Sequence, residues 1–340
     1  MEESLQARGP FVESAALASD RSLRPTAREW LRHSVLFAAT VGSTTIAGVA
    51  LAVDARELEV PMPDPSRLID YLSYVPQYYL RSVARLLSYV TDHPSIVWQG
   101  LEFSAALLAI LLAHEMGHYL ACRRYGVDAT LPFFIPAPPL FIAGTFGAFI
   151  KIKSQIPSRR ALFDIGLAGP LAGFVVALPV ALVGILSLRP GSSLLDHAIT
   201  FNDPLLFRLL AGTLRIRLEN AGTNPFYMAA WLGLLVTSLN LMPVGQLDGG
   251  HGTFAVFGLR AHKRIGRTAF VTMVTLALLG WFWHSSPSGF LYTVLLAVML
   301  KVRHPQPGQM EPLGSTRIWI ALVTLIVFAL SFWPFPITIT

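Results

Sequence analysis

Apolar residues along this 340-residue chain gather into long blocks, not into the short alternations of a half-solvated surface. The blocks cover residues 33–53, 97–121, 163–188, 226–247, 268–284, 287–301 and 317–337. Most approach the roughly 20 residues that a helix needs to cross a lipid core. The pattern predicts an all-α polytopic membrane protein with about seven transmembrane helices. A tight turn, Ser285-Ser286-Pro287-Ser288-Gly289, precedes the short sixth block, so the fifth and sixth are expected to form a helical hairpin.

One stretch does not fit. Residues 131–157, "LPFFIPAPPL" through "GTFGAFIKIKSQIP", hold too many prolines and glycines for a plain span, while Phe149 to Lys153 partly alternate as a strand would. A re-entrant segment or surface β-hairpin is expected there, covered by protein or water wherever it lies at depth. The resulting division is a flexible cytoplasmic tail over 1–32, a first transmembrane helix and external loop over 33–96, a core over 97–260, the helical hairpin over 261–304, and a linker with a C-terminal transmembrane helix over 305–340. The tail lacks a basic leader joined to an apolar core, so it does not read as a cleaved secretory signal.

Composition supports the membrane reading, because 53% of residues are hydrophobic and only 14% charged, too few charges for a soluble domain. The single cysteine, Cys122, excludes an internal disulfide and is expected to be a small buried filler. A net charge of +6 could suggest nucleic acid. Its carriers, however, sit at the ends of apolar blocks: Arg21 to Arg32, Arg123 to Arg160, Arg260 to Arg267, and Lys301 with Arg303 all fall on one side of the predicted spans. They set orientation, which places the tail in the cytoplasm and implies no nucleic-acid surface.

Candidate chemistry lies in the second block, in "LLAHEMGHYLA", residues 111–121. His114 and His118 are four apart, about 400° around a helix, so both imidazoles leave one face and can share an ion. Nine residues before Arg123, His114 sits roughly 14 Å below the cytoplasmic surface. The H-E-x-x-H spacing suits a zinc hydrolase, in which two neutral imidazoles hold the metal and Glu115 takes a proton from the attacking water. Buried ionisable groups are costly in lipid, which weighs against a polar cluster that merely packs helices. Catalytic zinc commonly takes three protein ligands. The third is sought in "NLMPVGQLDGGH", residues 240–251, where Asp248 offers an anionic oxygen; His251 is its rival, or a partner of the ligands. Asn240, eight residues before Asp248 and read as deeper in the same span, offers an amide to substrate or oxyanion. Thr237 and Ser238 are candidates to line a water path, and Gly166, Gly169 and Gly173 to let another helix come close. Asp164 is read as solvated at the membrane face.

The buried HEMGH, the later Asn240-x-x-Pro243-x-x-x-x-Asp248-Gly249, and between them GTFGA (144–148) and DIGLAGPLAG (164–173) together resemble the site-2 proteases, intramembrane zinc metalloproteases. The resemblance covers roughly residues 97–260. It implies His114, His118 and Asp248 as ligands of one Zn2+, Glu115 as catalytic acid and base, and a three-helix catalytic core. With no PDZ-like or CBS-like domain, the chain looks like a compact member, closer to the archaeal, cyanobacterial and plastid branch. Implied partners are the lipid bilayer and membrane-anchored protein substrates with a transmembrane helix. Asn240 and Gly144, Thr145, Phe146 and Gly147 are candidates to hold the substrate, the hairpin doing so by strand addition. A prokaryotic plasma membrane is expected, with the active site towards the cytoplasm, the source being bacterial, archaeal or plastid. The alternatives are a metal transporter, which would need ligands along several spans, and an inactive relative that only binds membrane partners.

Overall fold

A computed structural model describes residues 25–189, 199–218, 222–302, 304 and 307–339. Most of the expected tail, up to residue 24, lies outside the described residues. Its end is already helical, because Thr26 and Glu29 form a capping box that starts α1, Ala27–Ala52, ahead of the apolar block. The chain continues through α2 (Ala55–Leu58), α3 (Tyr71–Asp92), α4 (Ile96–Arg124), strands β1 (Phe133–Pro136) and β2 (Thr145–Phe149), and α5 (Arg159–Leu186). It goes on with β3 (Ile199–Phe201), α6 (Leu205–Leu214), α7 (Pro225–Asn240), α8 (Asp248–His284), α9 (Ser288–Lys301), α10 (Ser315–Ser331) and β4 (Ile337–Ile339).

Each apolar block is centred on a helix, and the chain is a largely helical membrane protein. Among the described residues, α1, α4, α5 and α8 are long and apolar enough to cross a bilayer, while α9 and α10 are shorter apolar helices. The blocks at 226–247 and 268–284 have different boundaries from those expected. The first stops at Asn240, and the next helix starts at Asp248, twenty residues early. Pro243 lacks an N–H and Gly245 takes φ 56°, so residues 241–247 turn instead of continuing the helix. The early start of α8 is hidden in sequence because the glycine-rich segment at its start ends in a break at Gly258 (φ 78°, ψ 174°), and the basic stretch 260–267 then separates it from the apolar block.

The stretch expected as an external loop contains a further long helix. Its α3 is a 22-residue helix that leaves Leu72, Val75, Leu80 and Leu87 exposed.

Helices α4, α5 and α7 pack together as the centre, with α1 against α4 and α8 against α5. Fully buried Phe103, Phe163, Leu107, Ile110 and Leu234 fill the space between them. The expected β-hairpin is present: β1 and β2 pair antiparallel with Phe133 opposite Phe149 and Phe134 opposite Ala148, and a further bridge joins Ala129 to Ile152. The hairpin lies along α1. His33 Nδ1 is 3.0 Å from the Pro132 carbonyl, and Gly144 (φ 67°) approaches Ser43 and Thr44 so closely that a Cβ would come within 2.5 Å of their backbone.

Asp164 is not simply solvated. It accepts two hydrogen bonds from Arg317 of α10, at 2.8 and 2.7 Å, and one from the Tyr125 hydroxyl, which ties the last helix to the core. Burial and this carboxylate together raise the Tyr125 phenol pKa.

Candidate metal centre

Two helices supply the site. His114 and His118 lie one turn apart on α4, at 4% and 7% exposure. Asp248 is the first residue of α8, where the helix dipole favours a carboxylate. The turn that returns the chain to this point needs a glycine after it, since a Cβ on Gly249 would lie 1.9 Å from the Leu241 carbonyl oxygen. Asn240 and Asp248 therefore belong to the end of one helix and the start of the next, and not to a single span as the sequence suggested.

The three side chains converge. Asp248 Oδ2 is 3.3 Å from His114 Nε2 and 3.3 Å from His118 Nε2, and the two Nε2 atoms are 3.1 Å apart. A tetrahedral zinc with arms of about 2.0 Å spaces its ligands about 3.3 Å from one another, so the triangle fits one face of such a site. His118 Nδ1–H donates to the Ile165 carbonyl at 2.7 Å, which leaves Nε2 unprotonated and aimed at the ion. Ile165 was not read from sequence as part of the site; a backbone carbonyl leaves no residue-type signature. Gly169 was read only as a packing residue, yet a Cβ on it would meet His118 Nε2 at 2.1 Å. Among the described residues, this is the one group of three or more His, Cys, Asp or Glu side chains close enough to share an ion.

Glu115, 6% exposed, stands on the same helix beside the donor triangle, and Ile150 of the hairpin segment lines the same cavity. Asn240 Nδ2 lies 3.2 Å from His114 Nε2. All five side chains line one cavity of about 600 Å³, together with the backbone stretch Ala148–Ile152 of the hairpin.

Other candidates fall elsewhere. Gly144, Thr145, Phe146 and Gly147 do not line this cavity: Thr145 Oγ1 donates to the Ile135 carbonyl and accepts from Gly147 N–H, and Phe146 packs in a tilted arrangement against Phe141. Thr237 and Ser238 turn their hydroxyls back onto the carbonyls of Gly233 and Leu235, so they do not border the cavity as a water path. His251 does line it, but its Nδ1 pairs with His304 at 2.9 Å. Cys122 is fully buried, as a filler should be.

The sequence model described as Peptidase family M50 matches residues 102–280. This chain belongs to that peptidase family. Its matched segment runs from α4 through most of α8 and thus contains every residue of the triangle, and the family's zinc fits the three donors. A probable chloroplastic zinc metalloprotease EGY1 of Oryza sativa subsp. japonica is 39% identical over 192 residues, 54% of this chain and 32% of that protein. The protein of the same description from Arabidopsis thaliana is 28% identical over 313 residues, covering 88% of this chain and 52% of that protein. A probable zinc metalloprotease EGY2 of the same plant is 28% identical over 277 residues, or 77% and 47%. The chain spans between a third and about half of the length of these relatives. No solved structure matches. All three relatives are described as chloroplastic, and the expected prokaryotic plasma membrane finds no support among them.

Proposed function

We propose that this chain is a zinc endopeptidase that hydrolyses peptide bonds within or beside the transmembrane segments of membrane-anchored proteins. The observation that carries this reading is the His114, His118 and Asp248 triangle with the Glu115 carboxylate on the wall of the same cavity. The three donors would hold one zinc ion, which when bound supplies Lewis acidity to the scissile carbonyl and to water. Glu115 takes the proton from the attacking water as the carbonyl carbon is attacked. It then returns that proton to the leaving amine as the C–N bond breaks. Its carboxylate is enclosed with the donor triangle in the same cavity, within reach of both transfers. Asn240, which lines the same cavity and whose Nδ2 lies 3.2 Å from His114 Nε2, would donate to the oxygen that gains charge, where a donor is worth most.

A transmembrane helix hides its carbonyls in its own hydrogen bonds, so the substrate has to be opened locally before attack. The hairpin offers the means. Thr130 N–H donates to the Lys151 carbonyl and Lys153 N–H to the Asp128 carbonyl, which turns those backbone groups towards the segment 128–130 that precedes β1 and leaves Ile150 and Ile152 on the opposite edge. That edge borders the catalytic cavity and can pair with an unwound substrate segment by strand addition. Gly144 to Gly147 would serve this indirectly, by shaping and seating the hairpin against α1. The cavity would open towards the Lys- and Arg-rich side of the membrane, where Arg123 and Arg124 end α4. Comparing the membrane proteomes of cells that carry the native chain or its Glu115→Gln form tests the reading: membrane-anchored proteins should accumulate uncut in the variant, and identical proteomes would count against proteolysis.

A further inference from the structure

Between Asp248 and Glu311 the chain has no Asp or Glu, yet it carries Arg260, Lys263, Arg264, Arg267, Lys301 and Arg303. Basic residues at a membrane face need no ligand to explain them, since orientation alone retains them there. Orientation does not ask them to converge. Lys263 and Arg267, one turn apart on α8, and Lys301, the last residue of α9, nevertheless line a single cavity of about 290 Å³. Among the described residues, none of these three has a carboxylate within ion-pair distance.

Apolar Leu259, Leu300 and Val302 form part of the remaining wall. His262 and His304 add polar groups to it, their ring centroids 5.0 Å apart, and His262 is 5% exposed with its Nδ1 held 3.0 Å from the Thr253 hydroxyl. Gly245 adds backbone without a side chain, its turn pressed against Met299. A pocket with three fixed positive charges, two imidazoles and no acid would repel a metal ion and attract a phosphate. We propose that this cavity binds a phosphate-bearing anion, either the headgroup of an anionic lipid or a soluble phosphate compound. The site borders the catalytic cavity without being part of it: His304, on its wall, meets His251, which lines the larger cavity, at 2.9 Å.

The test uses the full chain in nanodiscs and reads binding, so it stands apart from any peptidase activity. In discs of phosphatidylcholine alone, inorganic phosphate is titrated calorimetrically. In discs with one-fifth phosphatidylglycerol, the lipid retained by the released protein is measured by native mass spectrometry. Saturable phosphate binding identifies a soluble anion, and selective retention of phosphatidylglycerol without it identifies a headgroup. In either case Lys263→Gln with Arg267→Gln should weaken binding about tenfold or more, at roughly 1 kcal/mol per charge. Lys301→Gln, from the other helix, should weaken it severalfold. The charge-matched pair Arg260→Gln with Arg264→Gln, which does not line the cavity, should leave it within about twofold. Absence of both kinds of binding would overturn the proposal. So would equal loss in the two charge-matched pairs, or no effect at Lys301, because binding would then reflect net charge and not this cavity.

Discussion

Gly169 on α5 stands so close to His118 on α4 that a Cβ at residue 169 would lie 2.1 Å from Nε2. That nitrogen belongs to the donor triangle, so the helix contact and the metal centre are one arrangement. Gly169→Ala should displace the His118 ring and weaken zinc binding about tenfold or more, with the helical circular dichroism kept. Gly173→Ala, whose Cβ would sit 3.2 Å from the His114 Cβ, should have a smaller effect. Zinc content by elemental mass spectrometry compares the two.

The third ligand can be tested against its rival. Asp248→Ala removes the oxygen 3.3 Å from both imidazoles and should strip most of the zinc. His251→Ala should keep it, because its ring is engaged with His304 and not with the triangle. The reverse pattern would reassign the ligand.

The hairpin edge makes a separate prediction. Ile150→Pro removes a backbone N–H from the edge that borders the cavity, so cleavage should fall sharply while zinc remains bound. Loss of zinc in that variant would instead mean that the hairpin supports the metal centre.

These effects also mark where sequence reading succeeds and where it stops. His114, Glu115 and His118 were legible because their geometry is local: a four-residue step on a helix fixes which side chains share a face. The hairpin was legible because Pro136, Pro138, Pro139 and Gly144 interrupt an otherwise apolar run. Asp248 was legible as a candidate but misplaced at the end of a span, since the break at Pro243 to Leu247 and the second break at Gly258 together hide a helix that begins with Asp248 itself. Gly169 and the Ile165 carbonyl depend on how two distant helices meet, and nothing in either segment alone carries that information. The α3 helix was not legible for another reason: Pro76 and the many polar residues of Tyr71–Asp92 leave it without an apolar block.

The tie between α10 and the core should contribute to stability and not to chemistry. Arg317→Gln loses the forked hydrogen bonds to Asp164, a cost of about 1–3 kcal/mol that a thermal melt in detergent should register as a lower midpoint. Arg317→Lys should recover only part of it, because an ammonium cannot reproduce the fork. An unchanged midpoint in Arg317→Gln would assign the last helix no part in holding the core.

The most direct measurement is made on one preparation at a time: zinc per chain, and cleavage of a single-span peptide in nanodiscs, for the native chain and for Glu115→Gln. The account predicts about one zinc in both and cleavage only in the native chain. Undiminished cleavage by the zinc-loaded Glu115→Gln chain would contradict it.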